Sequence, residues 1–170
     1  MNAGGRKVQA KQHNGGFSLI EVLIAVLLVG LAVAALMAAN TALTNANGAG
    51  TDLSTAEFLV GEIAELTALL PVIDPATGTA TFGPETGETL ATYNDLDDFD
   101  GANFSPPISA ERAVLNTSAG FSQQITVENV SPSDFQLVVG DHTSDFVRVT
   151  VTVSLNGRQI SSASWLRALY

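Results

Sequence analysis

Phe17 to Ala39 is an apolar run of 23 residues interrupted by one charge, Glu21. As a helix it would rise about 34 Å, enough for a bilayer core of roughly 30 Å. The six residues Asn45 to Gly50, Asn-Ala-Asn-Gly-Ala-Gly, form a helix-weakening patch; each glycine costs up to about 1 kcal/mol against alanine. Beyond it Ser54-Thr55-Ala56-Glu57 fits a capping box, and Ala56, Leu59, Ile63, Leu66 and Leu70 recur at helical spacing. Glu57, Glu62 and Glu65 fall largely off that stripe, which reads as core, and Pro71 stops the helix at Leu70. The pattern predicts a long N-terminal helix of 54 residues, hinged or kinked near 47 to 50, whose second half packs on a globular domain.

Residues 71 to 120 are rich in Pro, Gly, Thr and Asp, with little periodicity, and read as a long loop region with short elements. From 121 the period changes to two. Gln123, Ile125 and Val127 share a face, Ser131-Pro132-Ser133 supplies a turn, and Phe135 to Val139 is a second run. Val147, Val149, Val151, Val153 and Leu155 alternate with Arg148, Thr150, Thr152 and Ser154, the signature of a half-buried strand. Asn156-Gly157 predicts a type I′ hairpin with Arg158 to Trp165 as the returning strand, Trp165 packing on the sheet. The expected class is α+β, a long helix laid on a small antiparallel sheet. The expected divisions are 1–16, a basic leader; 17–39, a membrane helix; 40–70, its amphipathic continuation; and 71–170, a β-rich domain.

Charge sharpens this division. Seven Lys and Arg oppose 17 Asp and Glu, for a net charge of -10. Arg6, Lys7 and Lys11 precede the apolar run, whereas every acid lies at or beyond Glu21. A basic head before an apolar segment and an acidic body is the layout of an export signal, with the N-terminus held in the cytoplasm. The acidic body opposes contact with nucleic acid. Cysteine is absent, which excludes thiol chemistry, Cys-ligated metals and disulfides. A secretory signal peptide could be cut near Ala32-Val33-Ala34, but its apolar region is ordinarily about 7 to 15 residues long. A plain anchor helix leaves Glu21 unexplained, because a carboxylate in hydrocarbon costs roughly 2.5 to 3.5 kcal/mol and needs a partner. A cut between Gly16 and Phe17 would make Glu21 the fifth residue of the product, about one helical turn from the new ammonium group.

Gly15-Gly16-Phe17-Ser18-Leu19-Ile20-Glu21-Val22-Leu23, following a short basic leader, resembles the processing site of type IV prepilins and type II secretion pseudopilins. The resemblance implies that a prepilin peptidase cleaves after Gly16 and methylates Phe17, and that Glu21 docks to a neighbouring subunit. It further implies a single-pass inner-membrane precursor that joins other pilin or pseudopilin subunits through an assembly platform into a pilus or secretion pseudopilus. Many major pilins carry a proline where this chain has Ala38, so the helix lacks that breaker and is more similar to minor members.

Tyr93 to Gly101 places four carboxylates, Asp95, Asp97, Asp98 and Asp100, in six residues. Such a cluster is an acidic surface turn whose Asp side chains cap local amides, or it holds a cation, for which Ca²⁺ suits clustered oxygens. The spacing is not that of an EF-hand. A third reading is packing, with Tyr93, Leu96 and Phe99 pinning a helical turn. The segment, with Phe82-Gly83-Pro84-Glu85 before it and Ser105-Pro106-Pro107 after it, is also similar to one in minor pilin-like proteins of the mannose-sensitive haemagglutinin type. Catalytic motifs are missing: no Gly-x-Ser-x-Gly, phosphate loop, zinc motif or dinucleotide fingerprint occurs. His13 would leave with the leader, and His142 beside Asp141 reads as a surface turn residue. The expectation is a structural subunit and not an enzyme. The competing class is a permanently anchored periplasmic binding module, Ca²⁺-dependent, whose N-terminus stays uncut.

Overall fold

The computed structural model describes residues 15–169. The expectations for Arg6, Lys7, Lys11 and His13 lie outside that range. Helix α1 spans Leu19–Thr67, 49 residues. It begins where Ser18 caps it. The Glu21 amide donates to Ser18 Oγ at 3.2 Å, and the Val22 amide donates to the Ser18 carbonyl at 3.2 Å, the first full helical bond. No proline occurs between Phe17 and Leu70.

Helical structure continues through Gly48 and Gly50, where the residue pattern predicts a hinge. Two glycines cost too little to break a helix already propagating on both sides. Thr41, Thr44, Thr51 and Thr55 fold their hydroxyls back onto carbonyls one turn earlier, at 3.0 to 3.1 Å. Ser54 therefore lies inside a helix and caps nothing. What changes at the patch is packing, because the chain divides between Ala46 and Asn47 into two compact units. In the first, every described residue is exposed.

The second unit holds the core. The α1 residues Ala56, Leu59, Val60 and Ile63 are buried against Ile125, Val127, Val147, Val149, Val151 and Val153 of the sheet, and against Val72, Leu96, Phe99 and Ile108 of the intervening loops. Among the described residues the sheet has five antiparallel strands: β1 (Asn103–Phe104), β2 (Phe121–Ser131), β3 (Asp134–Val138), β4 (Phe146–Leu155) and β5 (Arg158–Ala168). The order is β1-β2-β4-β5, with β3 paired to the far end of β2. The valines of β4 point inward in strict alternation, which fixes its register, since a slip of one residue would turn all four outward. Asn156 and Gly157 have φ of 50° and 79°, as a type I′ hairpin requires. Trp165 pairs with Val149 and packs partly buried against the core. β5 runs three residues past it, to Ala168.

The helix ends at Thr67, three residues before the Leu70 stop expected from Pro71. Arg167 of β5 explains the early end: its guanidinium donates to the carbonyls of Thr67 (2.8 Å), Ala68 (2.9 Å) and Leu70 (2.9 Å). A cation there satisfies orphan carbonyls and complements the negative end of the helix dipole.

Gln123 joins the layers. Its amide donates to the carbonyls of Leu59 (2.8 Å) and Ile108 (3.2 Å), and its oxygen accepts the Ile108 amide at 2.8 Å, all fully buried. Gln123→Leu is expected to cost about 1–3 kcal/mol by orphaning the Ile108 amide. Denaturant unfolding of the full chain in detergent measures this, and an unchanged midpoint would show that the amide finds another partner.

Candidate processing site and acidic cluster

Gly16 and Phe17 precede the helix in irregular, exposed backbone, with Phe17 83% exposed. A Cβ added at Gly16 meets nothing within 4 Å, and its φ is outside the left-handed region. The chain's own fold therefore does not demand glycine there. Glu21 occupies the first turn of α1, exposed, and its carboxylate makes no hydrogen bond or ion pair among the described residues. Ser18-Leu19-Ile20-Glu21 has the capping-box spacing, a helix-start signal that lies within the processing motif itself. Ser18 thus starts the helix just downstream of the expected cut, and an acid in the first turn suits the positive end of the dipole. From Phe17 to Met37, Leu19, Ile20, Leu23, Leu27 and Leu36 are all at least 59% exposed, a surface that water solvates poorly.

A helix capped by Ser18, apolar and exposed throughout its described first half, thus precedes an α+β unit. The prokaryotic N-terminal methylation motif matches residues 11–37, which is consistent with the type IV prepilin and pseudopilin family. No curated protein and no solved structure matches the chain. The motif implies processing by prepilin peptidase and assembly with other pilin subunits, and with the apolar helix it points to membrane anchoring.

The acidic cluster is not a solvated turn. Asp95, Asp97 and Asp98 are 1%, 3% and 1% exposed. The packing reading explains how they come to be inside. Leu96 and Phe99 are fully buried, Tyr93 meets Phe99 edge-on at 5.1 Å, and Asp97–Phe99 forms a 3₁₀ turn between them. Anchoring both apolar residues draws the intervening carboxylates in. Asp98 Oδ2 accepts the amides of Asn94 (2.8 Å) and Asp95 (3.3 Å), while Asp95 Oδ1 accepts the Asp98 amide at 3.2 Å. Asp100 turns elsewhere, accepting the Val127 amide of β2 at 2.8 Å.

His142 corrects a second expectation. It has φ of 56°, its amide donates to Asn129 Oδ1 at 2.9 Å, and its ring rests against Phe82 with centroids 5.3 Å apart. Nε2 lies 3.0 Å from Asp97 Oδ2 and Nδ1 lies 3.3 Å from the Thr79 carbonyl. Both ring nitrogens thus face oxygen atoms of the neighbouring loops.

Two further carboxylates, Glu85 and Glu88, join the cluster. Ligand atoms of Glu85, Glu88 and Asp98 lie within 4.8 Å of one another, as do those of Asp95, Asp97 and Asp98. Burial, then the adjoining Asp98 and Glu85, pushes Glu88 up to about 7. Burial and the neighbouring Asp97 likewise raise Asp95, and burial raises Asp97. Nothing in the sequence spacing links Glu85 to Asp98, since the loop between them has no period.

Proposed function

We propose that this chain is a minor type IV pilin or pseudopilin: a structural subunit, not a catalyst, made as an inner-membrane precursor with its N-terminus in the cytoplasm. Prepilin peptidase cuts after Gly16 and methylates Phe17. The product is taken up through an inner-membrane assembly platform into a pilus or type II secretion pseudopilus, in the periplasm or at the cell surface. The observation that carries this reading is the methylation motif over residues 11–37, which runs into the first half of α1, apolar and exposed at every described residue to Ala46. The indifference of the chain's own fold to Gly16 adds support, since a glycine that packing does not need is one that a peptidase can need. Helical continuity through Ala38 favours a minor role.

The mass of the membrane-extracted protein tests it. Residues 1 to 16 are expected to be missing and one methyl group added to Phe17. An intact N-terminus would instead favour a permanently anchored binding module. Abundance in purified filaments equal to that of a major subunit would refute the minor role.

A further inference from the structure

Two buried carboxylate oxygens lack a hydrogen-bond partner, Asp98 Oδ1 and Glu85 Oε2. Both are carried by residues of the Glu85, Glu88 and Asp98 triad, and Asp98 is 1% exposed. Carboxylate oxygens only accept, and leaving one buried and unpaired is among the more costly local defects in a fold. The nearby basic side chains are engaged elsewhere. Arg112 donates to the carbonyls of Leu90 and Tyr93, each at 2.7 Å, and His142 faces Asp97 and Thr79.

A single divalent cation between the three carboxylates meets both orphan oxygens. We propose that Glu85, Glu88 and Asp98 form a calcium site that locks the turn at residues 85–88 onto the 3₁₀ turn at Asp97–Phe99. The ligand set contains oxygen only, which favours a hard cation over zinc, and carboxylates on an irregular loop suit the flexible coordination of Ca²⁺ better than the strict octahedron of Mg²⁺. Local hydrogen bonds hold the ligands in place: the Thr77 hydroxyl lies 2.8 Å from both Glu85 Oε1 and Asp74 Oδ2, sharing one proton between them, and Glu88 Oε2 accepts the Glu85 backbone amide at 3.2 Å. The site differs from the Asp95, Asp97, Asp98 and Asp100 set expected from spacing. Asp97 is taken by His142, Asp95 by the Asp98 amide and Asp100 by Val127. Calcium would brace a stretch that has little regular structure, and this proposal stands apart from the filament reading.

The test uses the full chain in detergent, stripped with a chelator and titrated with CaCl₂ or MgCl₂ by calorimetry and thermal melting. Calcium is expected to bind and to raise Tm by at least about 5 °C at saturation. Glu85→Gln combined with Asp98→Asn is expected to abolish that response, whereas Asp100→Asn keeps it. Should the double variant fail to fold, Glu88→Gln alone is expected to weaken calcium binding at least about tenfold. Any one of four results would overturn the site: no calcium response in the wild type, an equal response to magnesium, a response surviving in the double variant or unweakened in Glu88→Gln, or one lost in Asp100→Asn.

Discussion

Glu21→Ala is expected to give a protein that is still cut after Gly16 and still extracted with the membrane, yet is absent from purified filaments. The proposed cut lies four peptide bonds upstream, in exposed irregular backbone, and the Ser18 cap uses the backbone amide of residue 21, which alanine retains. What alanine removes is a carboxylate with no partner among the described residues, in a segment whose apolar surroundings raise the cost of an unpaired charge by roughly 2.5 to 3.5 kcal/mol. On the proposed reading the new terminal ammonium, in the same subunit or the next, is the cation that makes the acid tolerable. Immunoblots of sheared filaments and of membranes, compared with the wild type, measure the effect. Incorporation at the normal level would remove the docking role while leaving processing intact.

Phe99→Ala is expected to be the most damaging single change in the second unit, with a loss of about 3–5 kcal/mol. Phe99 is fully buried, stacks edge-on with Tyr93, and is the anchor that draws the acidic turn into the core. A small domain has roughly 5–15 kcal/mol in hand, so the variant approaches global unfolding. Thermal melting is expected to show a midpoint lowered by about 10 °C or more, since a unit of this size shifts by about 3–5 °C per kcal/mol. A midpoint within a few degrees of the wild type would mean that the loop anchors itself by other contacts.

Local chemistry was legible in the sequence wherever near neighbours decide the outcome. The Val147 to Leu155 alternation and the Asn156-Gly157 turn defined the β4–β5 hairpin because strand period and turn geometry act over a few residues. The stripe of Ala56, Leu59 and Ile63 marked the packed face of α1 for the same reason. The glycine patch misled because helix weakening is a small local cost, set against the cooperativity of a long helix. The acidic turn misled because composition argued for solvent, while two apolar residues in the same turn decided burial. Glu85 and Glu88 meeting Asp98, and His142 meeting Asp97 across 45 residues, are tertiary contacts with no period to announce them. At the candidate processing site the motif named Gly16, Phe17 and Glu21 outright, but the cap supplied by Ser18 emerged only with the helix start.

The clasp of Arg167 on Thr67, Ala68 and Leu70 spans about 100 residues of chain. Closing so long a loop is entropically costly and occurs only when most of the intervening structure is already in place. The last turn of the helix is therefore finished late and lost early, together with the β4–β5 edge, as one cooperative foldon. Amide exchange at Leu70 should then keep pace with that of β5, and not with the middle of the helix to which it is joined.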